Sequence, residues 1–517
     1  MPSRRPLALL AALLAAALAA PGAAAPAVPP LPGDDPAATG RWDAPVAWPT
    51  QAIHAALLPT GKVLAFGSNA GATLWDPATG TFTPVPIPGA EDMVCSGMAM
   101  LADGRVLVTG GHASAGAELW NGHPVTWLFD PFALTWTRGD DLNAGRYYPT
   151  AITLGDGRVL ASNGNDEHGG DPYATEVWDG ASWQRLPGMP PRMEFYPRMH
   201  VLPNGTVVSA GQDPNAMLLD PATGQWTVGP RSEAGRRWGG ASVLLPGLDK
   251  VLVFGGGNTG FSSEGHGGVP LLRDPADLIA ANHFEAVTDG PEPGTTSAEI
   301  LDVSGGAPAY RTVGAMTYPR RDHAGVLLAD GDVLALGGSV GYEPVPGWGD
   351  YAFHPELFDV ATERWSLVAP AHRTRGYHST GLLLPDGRVW FGGGDFELAR
   401  DGSLPLTSSG EVYSPPYLFR GPRPSIVSAP SAAAYGERLS IRKAGPKVTG
   451  AALVRLSATT HSLNTDQRWV GLPVEESGDL LHVVAPAGGN AAPPGYYLLF
   501  LLSDRGVPSV ASVVRLG

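Results

Sequence analysis

Two adjacent side chains that can bind a metal or carry a proton, the phenol of Tyr377 and the imidazole of His378, precede an apolar segment. That segment, Gly381 to Leu384, is followed by a Pro-Asp-Gly turn and a second apolar run, which predicts a β-hairpin. Neighbouring residues on a strand point to opposite faces. Both side chains therefore reach one point only if the strand has just begun there or carries a bulge. Alone, such a pair is an ordinary strand end, so its meaning depends on the rest of the chain.

The single cysteine, Cys95, is a second group that requires an explanation. One cysteine cannot form an intrachain disulfide, and an odd thiol in an exported protein is unusual. Cys95 is therefore either a small buried apolar residue or a group with a chemical role.

The elements that must position these residues repeat along the chain. Each unit has an apolar strand, a tight turn that most often contains Asp-Gly, and a second apolar strand that mostly ends in glycines. Seven copies occur, at Leu58–Gly67, Leu101–Gly111, Leu154–Leu160, Leu202–Val208, Leu245–Gly256, Leu328–Gly338 and Leu384–Gly393. Most are followed by a second hairpin that ends in an aromatic residue, so each unit has the four strands of a propeller blade. The glycine pairs and closing tryptophans resemble kelch repeats.

These patterns predict an all-β protein with two folded domains. Residues 41–421 are expected to form a seven-bladed kelch-type β-propeller, and residues 422–517 an immunoglobulin-like β-sandwich. The last repeat lacks a complete fourth strand, and we expect residues 40–48 to supply it and close the ring. Residues 1–25 have two arginines, an apolar run and small residues, which predicts a cleaved signal peptide. Residues 26–40 are rich in Pro and Ala and are interpreted as a linker.

Composition and charge exclude some classes of function. The chain has 517 residues, of which 69 are Gly and 51 are Pro, and only 16% are charged. Its formal net charge of -15 is dispersed along the sequence, which argues against a nucleic-acid partner. Beyond the signal peptide, no segment is long and apolar enough to span a bilayer. We expect a secreted, extracytoplasmic monomer.

Alignment of the repeats on their turn glycine places several chemically capable residues in one register. Cys95, Tyr148 and His378 each precede their turn glycine by nine residues. That position is the start of the first strand, which lines the central channel of a propeller, so residues from different blades can converge on its axis. Three further residues share this register, namely Tyr196, Trp238 and Asp322.

Four local motifs resemble those of the copper radical oxidases, the galactose oxidase and glyoxal oxidase family. They are Met93-Val94-Cys95-Ser96-Gly97, Arg146-Tyr147-Tyr148-Pro149, Arg375-Gly376-Tyr377-His378-Ser379 and the ten residues from Thr459 to Arg468. The motifs occur in the family's order, and the resemblance covers nearly all of the mature chain. Because it combines motif order with a propeller scaffold, this similarity is more specific than any one motif.

The resemblance implies a copper site and a protein-derived cofactor. Copper would be held by Tyr148, Tyr377, His378 and His461, and two imidazoles with two phenolate oxygens suit tetragonal Cu(II). Cys95 and Tyr148 would form a thioether, and the modified phenol would carry a tyrosyl radical. Tyr377 would accept the substrate proton, and the radical would remove a hydrogen atom from the substrate carbon. Dioxygen would reoxidise the site and leave as hydrogen peroxide.

The substrate is predicted only by class. In galactose oxidase a tryptophan soon after the modified tyrosine stacks over the thioether, but residues 163–167 contain none. Trp238, on another blade, is the candidate replacement; the alternative is a tryptophan in the blade core. The Cys95 and Tyr148 motifs favour the glyoxal oxidase-like branch, so a small aldehyde or simple primary alcohol is preferred over galactose.

Two other functions stay open at this stage. One is a non-catalytic kelch propeller that binds carbohydrate or a protein partner, and the other is a zinc hydrolase, which would favour His and carboxylate ligands. The remaining histidines match no ligand motif. His54, His200 and His323 are expected in the core or behind the site, and His168, His266 and His283 in loops.

Overall fold

The computed structural model describes residues 33–68, 71–89, 92–113, 121–191, 193–257, 294–340, 352–395, 397–399 and 408–517. The predicted signal peptide, most of the predicted linker, His266 and His283 lie outside these residues. The described part confirms the all-β prediction, with seven antiparallel sheets followed by a C-terminal β-sandwich. None of its helices has the length and apolar character needed to cross a bilayer.

The seven sheets correspond to the seven sequence repeats. Blade 1 has strands His54–Leu57, Val63–Phe66, Ala72–Asp76 and Thr81–Pro84; blade 2 Gly97–Met100, Val106–Thr109, Thr126–Asp130 and Thr135–Arg138; blade 3 Thr150–Thr153, Val159–Ser162, Thr175–Trp178 and Trp183–Arg185; blade 4 Met199–Val201, Val207–Ser209, Asn215–Asp220 and Gln225–Arg231; blade 5 Ala241–Leu244, Lys250–Phe254, Ala298–Asp302 and Ala309–Thr312; blade 6 Ala324–Leu327, Val333–Leu336, Glu356–Asp359 and Arg364–Leu367; blade 7 Ser379–Leu383, Val389–Gly393, Ser409–Ser414 and Arg41–Trp42.

Burial falls from the first to the fourth strand of a blade. The first strand is buried along its whole length in every blade, whereas a fourth strand such as Thr135–Arg138 is largely exposed. This gradient is expected when first strands line the axis and fourth strands form the rim. The residues immediately before the first strands therefore lie next to the channel.

The N-terminal segment closes the ring, as predicted. Trp42 pairs with Tyr413, so strand Arg41–Trp42 completes blade 7. Ahead of it a short helix, Pro36–Thr39, is held by a hydrogen bond from the Tyr413 hydroxyl to the Thr39 carbonyl, 2.7 Å long. Strand Val46–Ala47 also pairs with the Ser409–Ser414 strand. Since both ends of the propeller meet in one blade, that sheet has no open edge at the joint.

The C-terminal domain packs two sheets face to face. One contains Ser425–Ser428, Arg438–Ala444, Leu480–Val484 and Glu475–Ser477, and the other Ala432–Ala433, Ser512–Leu516, Gly495–Ser503, Val448–Arg455 and Trp469–Leu472. A short 3₁₀ helix, Pro416–Phe419, precedes them, and a two-stranded sheet of Arg373–Arg375 and Glu397–Ala399 flanks blade 7. The alternation of buried and exposed residues along Arg438–Ala444 is that of a sandwich strand.

Residues 458–468 leave this sandwich and enter the propeller; we call them the C-terminal finger. Its strands, Ala458–Thr460 and Leu463–Thr465, form a hairpin that pairs with the first strand of blade 1, where His54 lies opposite Thr460. The hairpin turn is His461-Ser462, with φ values of 47° and 63°. Two successive positive φ angles are typical of a type I′ turn, which suits the twist of a tight hairpin. The finger thereby carries His461 at its tip.

Candidate metal centre

The register residues do not lie in the first strands, which corrects the sequence prediction. They precede the first strands by one to three residues, and all of them except Trp238 have left-handed backbone conformations, with φ of 59° at Cys95, 65° at Tyr148, 51° at Tyr196, 57° at Asp322 and 65° at His378. A non-glycine residue in this conformation costs ~1–3 kcal/mol, so the fold must hold each one in place. Tyr377 and His378 can both point to one site because they precede the strand, which begins only at Ser379.

Backbone hydrogen bonds join register residues of neighbouring blades. The Tyr148 N–H donates to the Cys95 carbonyl at 2.9 Å, and the Tyr196 N–H donates to the Tyr148 carbonyl at 3.0 Å. The Asp322 N–H donates in the same way to the Gly239 carbonyl at 2.7 Å. At Cys95 the acceptor is instead the Nε2 of His54, at 3.0 Å. These hydrogen bonds fix the position of the backbone at Cys95 and Tyr148.

The five predicted site residues come together at the end of the finger. The Tyr148 and Tyr377 hydroxyl oxygens are 2.6 Å apart, and the Cys95 Sγ lies 3.4 Å from the His461 Nε2. The possible ligand atoms of Cys95, His378 and His461 all lie within 4.8 Å of one another. Cys95 and Tyr148 also pack in the same buried cluster. Three blades and the finger thus contribute to one site.

Both histidines are oriented to offer Nε2 to a metal. The His378 Nδ1 lies 2.6 Å from an oxygen of Asp395, and the His461 Nδ1 lies 2.5 Å from the Thr460 hydroxyl. Thr460 donates its own proton to the Ile53 carbonyl, so it accepts from His461. Each Nδ1 therefore carries the proton, and each Nε2 keeps its lone pair.

The donor set fits copper. The His378 Nε2 is buried and has no hydrogen-bond partner among the described residues, which is costly unless a metal or water binds it. Burial, with a smaller contribution from His378, holds the pKa of His461 well below its usual value. A neutral imidazole is the form that binds a metal. Two such nitrogens beside two phenol oxygens are an N₂O₂ set of the kind preferred by Cu(II).

Phe195 is a site residue that the sequence analysis missed. Its ring stacks on that of Tyr148, with centroids 5.2 Å apart and an angle of 18°. Trp238, proposed for that position, lies parallel to Tyr377 at 6.4 Å, and the Arg321 guanidinium is 4.8 Å from the Trp238 ring centre. A signal was available, because Phe195 precedes its turn glycine by ten residues, as Tyr377 does.

A pocket opens beside this cluster. It is lined by Tyr148, Phe195, Tyr196, Arg198, Gln212, Trp238, Gly239, Asp322, Tyr377 and His461. Burial raises the pKa of Asp322 to about 6 and that of Tyr196 well above its usual value. The pocket thus combines aromatic walls with a carboxyl group, next to the groups that could hold a metal.

Of the other histidines, His54, His200, His323 and His168 lie within the described residues and are placed as expected. His54 lies behind Cys95, where its ring stacks on Phe66 at 4.6 Å. The His200 Nε2 is 2.8 Å from the Ser242 hydroxyl, and burial lowers the pKa of His200 to about 3. His323 is fully buried and His168 is exposed.

Comparison with known proteins finds oxidases among the relatives of this chain. Residues 423–516 match the model of the galactose oxidase-like early set domain. Galactose oxidase of Gibberella zeae is 28% identical over 522 residues, covering 92% of this chain and 70% of the relative. Aldehyde oxidase GLOX of Vitis pseudoreticulata is 28% identical over 90% of this chain and 89% of its own length. The structure of a fungal alcohol oxidase in complex with copper has 26% identity and a TM-score of 0.77, covering 92% of this chain and 99% of its own.

The similarity spans about nine tenths of the chain, and the propeller channel holds a Cys-His-His group in which Cys95 and His461 are buried and His378 is half-buried. Both features fit the scaffold of a copper-dependent oxidoreductase. The chain is therefore a homologue, at 28% identity over most of its length, of galactose oxidase and aldehyde oxidase GLOX, which are members of the copper radical oxidase family.

Proposed function

We propose that this protein is a secreted copper radical oxidase. It oxidises a small aldehyde or a primary alcohol by two electrons and reduces dioxygen to hydrogen peroxide. Its second redox group is a thioether-linked tyrosyl radical formed from Cys95 and Tyr148. The observation that carries this proposal is the convergence of Cys95, Tyr148, Tyr377, His378 and His461, since a binding module needs none of these residues together.

Copper would be held by the Nε2 atoms of His378 and His461 and by the oxygens of Tyr148 and Tyr377. Bound there, it would supply a one-electron acceptor that complements the one-electron Tyr148 radical. A tyrosine binds as phenolate despite a free pKa near ~10, because a metal lowers the pKa of its ligand.

The residues of the chain divide the remaining work. Tyr377 takes the proton of the substrate hydroxyl, and its oxygen lies 2.6 Å from that of Tyr148. Tyr148 removes the hydrogen atom from the substrate carbon, and the Phe195 ring covers one face of this phenol. Asp395 and Thr460 hold the imidazoles in the tautomer that has the proton on Nδ1 and leaves Nε2 free to bind a metal.

Formation of the thioether consumes the one cysteine. The Cys95 S–H bond and one ring C–H bond of Tyr148 break, and a carbon–sulfur bond forms. The two hydrogens leave as two protons and two electrons, which reduce dioxygen to hydrogen peroxide. The hydrogen bond from the Tyr148 N–H to the Cys95 carbonyl holds the two residues together for this step.

The alternative, a non-catalytic propeller, accounts less well for the same features. It leaves the buried and unpartnered His378 Nε2 unexplained, and it gives no role to the adjacent phenols. A zinc hydrolase is a poor match, because two phenols and a cysteine are not the His and carboxylate set that catalytic zinc prefers.

Mass spectrometry of the protein secreted by the expression host tests the proposal, before and after exposure to copper and air. The expected result is a loss of two hydrogen atoms, a peptide that joins Cys95 to Tyr148, and peroxide formation with small aldehydes or alcohols. A mature N-terminus beyond residue 25 would support export. The Cys95→Ser variant serves as the control that cannot crosslink. A free Cys95 thiol after copper loading would exclude the radical mechanism.

A further inference from the structure

The pocket beside the metal centre contains a carboxyl group to which the proposed mechanism gives no role. Asp322 lines this pocket together with Tyr148, Tyr377 and His461, and only 4% of its surface is exposed. The pocket is open to solvent, and its empty space, including that at the mouth, is about 340 Å³. A substrate bound in the pocket would therefore lie next to this carboxyl group.

The Asp322 carboxyl group makes no hydrogen bond to any residue that the structure describes. Its nearest cationic atom is the Arg321 Nε, 3.9 Å from Oδ2, which is beyond hydrogen-bond distance. A hydrogen bond to a charged group contributes about 1.5–3 kcal/mol. A donor from a molecule bound in the pocket would make such a bond to Asp322.

The other polar side chains of the pocket wall already have partners within the protein. Arg198 donates to the carbonyls of Gly240, Tyr196 and His461. Gln212 donates to the carbonyls of Phe195 and Tyr196, and its oxygen accepts the N–H of Gly239. The Tyr196 hydroxyl donates to the Ser96 carbonyl. Among the described polar residues of the pocket outside the metal cluster, Asp322 is therefore the one whose side chain has no hydrogen-bond partner within the described protein.

Gly239 makes room for this carboxyl group. A Cβ atom at position 239 would lie 2.5 Å from the Asp322 Oδ1, closer than real Cβ contacts permit. The glycine also has φ of 67°, a conformation that other residues adopt at a cost. The backbone on the neighbouring blade is thus shaped around the carboxyl group.

We propose that Asp322 is a specificity-determining residue that accepts a hydrogen bond from a second hydroxyl group of the substrate. This inference rests on the proposed oxidase function and names its substrate class. The class is a neutral molecule with a second hydroxyl on or next to the oxidised carbon, as in a hydrated aldehyde or a 1,2-diol. One hydroxyl gives its proton to Tyr377, and the other donates to Asp322.

The same carboxylate discriminates against anions. An ionised Asp322 repels a substrate carboxylate in a site of low dielectric, where charges interact strongly. A hydroxyl, in contrast, makes a charge-assisted hydrogen bond to it. An α-keto or α-hydroxy acid is therefore a poorer substrate than the neutral molecule of the same size.

Three substrate pairs test this assignment on copper-loaded enzyme. Acetaldehyde, which hydrates in water, is paired with ethanol; 1,2-propanediol with 1-propanol; and methylglyoxal with glyoxylate. In Asp322→Leu the ratio of kcat/KM for the dihydroxy member over the monohydroxy member should fall about tenfold or more, as for one lost charged hydrogen bond. A fall in the first pair alone identifies hydrated aldehydes, and in the second alone 1,2-diols.

Asp322→Asn separates charge from hydrogen bonding. It should keep part of the preference for two hydroxyls and raise kcat/KM for glyoxylate relative to methylglyoxal several-fold. Asp330→Asn, in the turn of the same blade, is the matched control and should leave all three ratios as in the wild type. Saturation-transfer NMR of the metal-free protein gives a readout independent of turnover, with a weaker 1,2-propanediol signal expected in Asp322→Leu.

Unchanged ratios in both Asp322 variants, with an unchanged NMR signal, would overturn the assignment. The crosslink and peroxide production of the wild type are measured in the same preparations. A wild type without them would refute the proposed oxidase function itself, which is a different result from unaltered ratios.

Discussion

At the scale of single residues, the ring of Phe195 is expected to lengthen the lifetime of the proposed Tyr148 radical. Its stacked position, 5.2 Å from Tyr148, keeps water from one face of the phenol. We expect Phe195→Leu to shorten the radical half-life several-fold while the Cys95–Tyr148 crosslink still forms. Electron paramagnetic resonance of the oxidised enzyme measures the half-life, and Phe195→Trp is the control that keeps a stacked ring. A half-life equal to the wild type would show that stacking is not protective here.

Asp395 acts on the metal through His378. Its carboxylate accepts the Nδ1 proton at 2.6 Å and also accepts from Gln51 at 2.9 Å. We expect Asp395→Asn to weaken copper binding by ~10–100-fold, as is usual when the carboxylate partner of a metal-binding histidine is removed. Competition with a copper chelator measures the affinity. Retention of wild-type affinity would assign Asp395 a role only in folding.

Residue types and their register predicted which side chains meet at the site, but not which ring stacks on that of Tyr148. Motif comparison pointed to Trp238 because tryptophan is the stacking residue in galactose oxidase. In this chain Phe195, next to the register residue Tyr196, holds that position. The doublet Tyr147-Tyr148 has the same spacing to its turn glycine as Phe195-Tyr196. Spacing shows that a residue is near the channel, whereas the direction of a ring depends on backbone angles that spacing does not reveal.

At the scale of elements, blade 1 breaks the pattern by which neighbouring blades are joined. Where Tyr148 and Tyr196 donate to a backbone carbonyl of the preceding blade, Cys95 donates to the side chain of His54. The His54 Nδ1 is buried with no hydrogen-bond partner in the described structure, which is a cost that its bond to Cys95 helps to offset. Burial holds the pKa of His54 well below its usual value, so the ring is neutral and can accept.

We therefore expect His54 to position Cys95 for crosslinking. His54→Phe keeps a ring that can stack on Phe66 but loses the acceptor, and should slow thioether formation about tenfold after copper and air are added. His54→Gln offers an acceptor at a comparable reach and should recover part of the rate. The crosslinked fraction is followed by mass spectrometry, alongside thermal unfolding. If both variants lose stability equally and crosslink at the wild-type rate, His54 is structural only.

Hairpins and turns were predictable at this scale because Asp-Gly turns and apolar runs are local signals. The left-handed residues before the first strands were not predictable. In five of the six blades that have such a residue, it is Cys, Tyr, Asp or His and not glycine. Residue propensities do not reveal this backbone strain, because it depends on contacts between blades. The same contacts bring Tyr377 and His378 to one point, which a continuous strand would not allow.

At the scale of the whole molecule, ring closure was predictable, whereas the side-chain contacts that hold the finger inside the channel were not. The last repeat lacks a fourth strand, and the N-terminal segment contains a strand outside the repeats, so the sequence indicates that the two pair. The finger, in contrast, is tied by side chains whose partners are far away in sequence. Gln467 accepts from the Leu327 N–H and donates to the Gly325 carbonyl, and Arg468 donates to the Val201 carbonyl. The propeller and the sandwich are therefore joined inside the channel, below the metal centre.

Asp466 makes two further hydrogen bonds between the finger and the propeller and is the subject of the last prediction. Its two oxygens accept the N–H groups of Met100 and Thr153, at 2.8 and 3.0 Å, so one carboxylate joins blades 2 and 3 to the finger. Asp466→Ala leaves two buried amides without partners, at about 1–3 kcal/mol each. We expect a fall of several degrees in Tm and, because His461 lies five residues upstream, weaker copper binding.

Asp466→Asn is the matched variant, since its amide oxygen can still accept one of the two bonds and should give an intermediate loss. Differential scanning calorimetry of the copper-free and copper-loaded forms separates the two effects. If the finger couples the metal centre to the fold, the stabilisation gained on adding copper should shrink in the order wild type, Asp466→Asn, Asp466→Ala. A lower Tm with undiminished copper stabilisation would mean that Asp466 supports the blades without holding His461 in place.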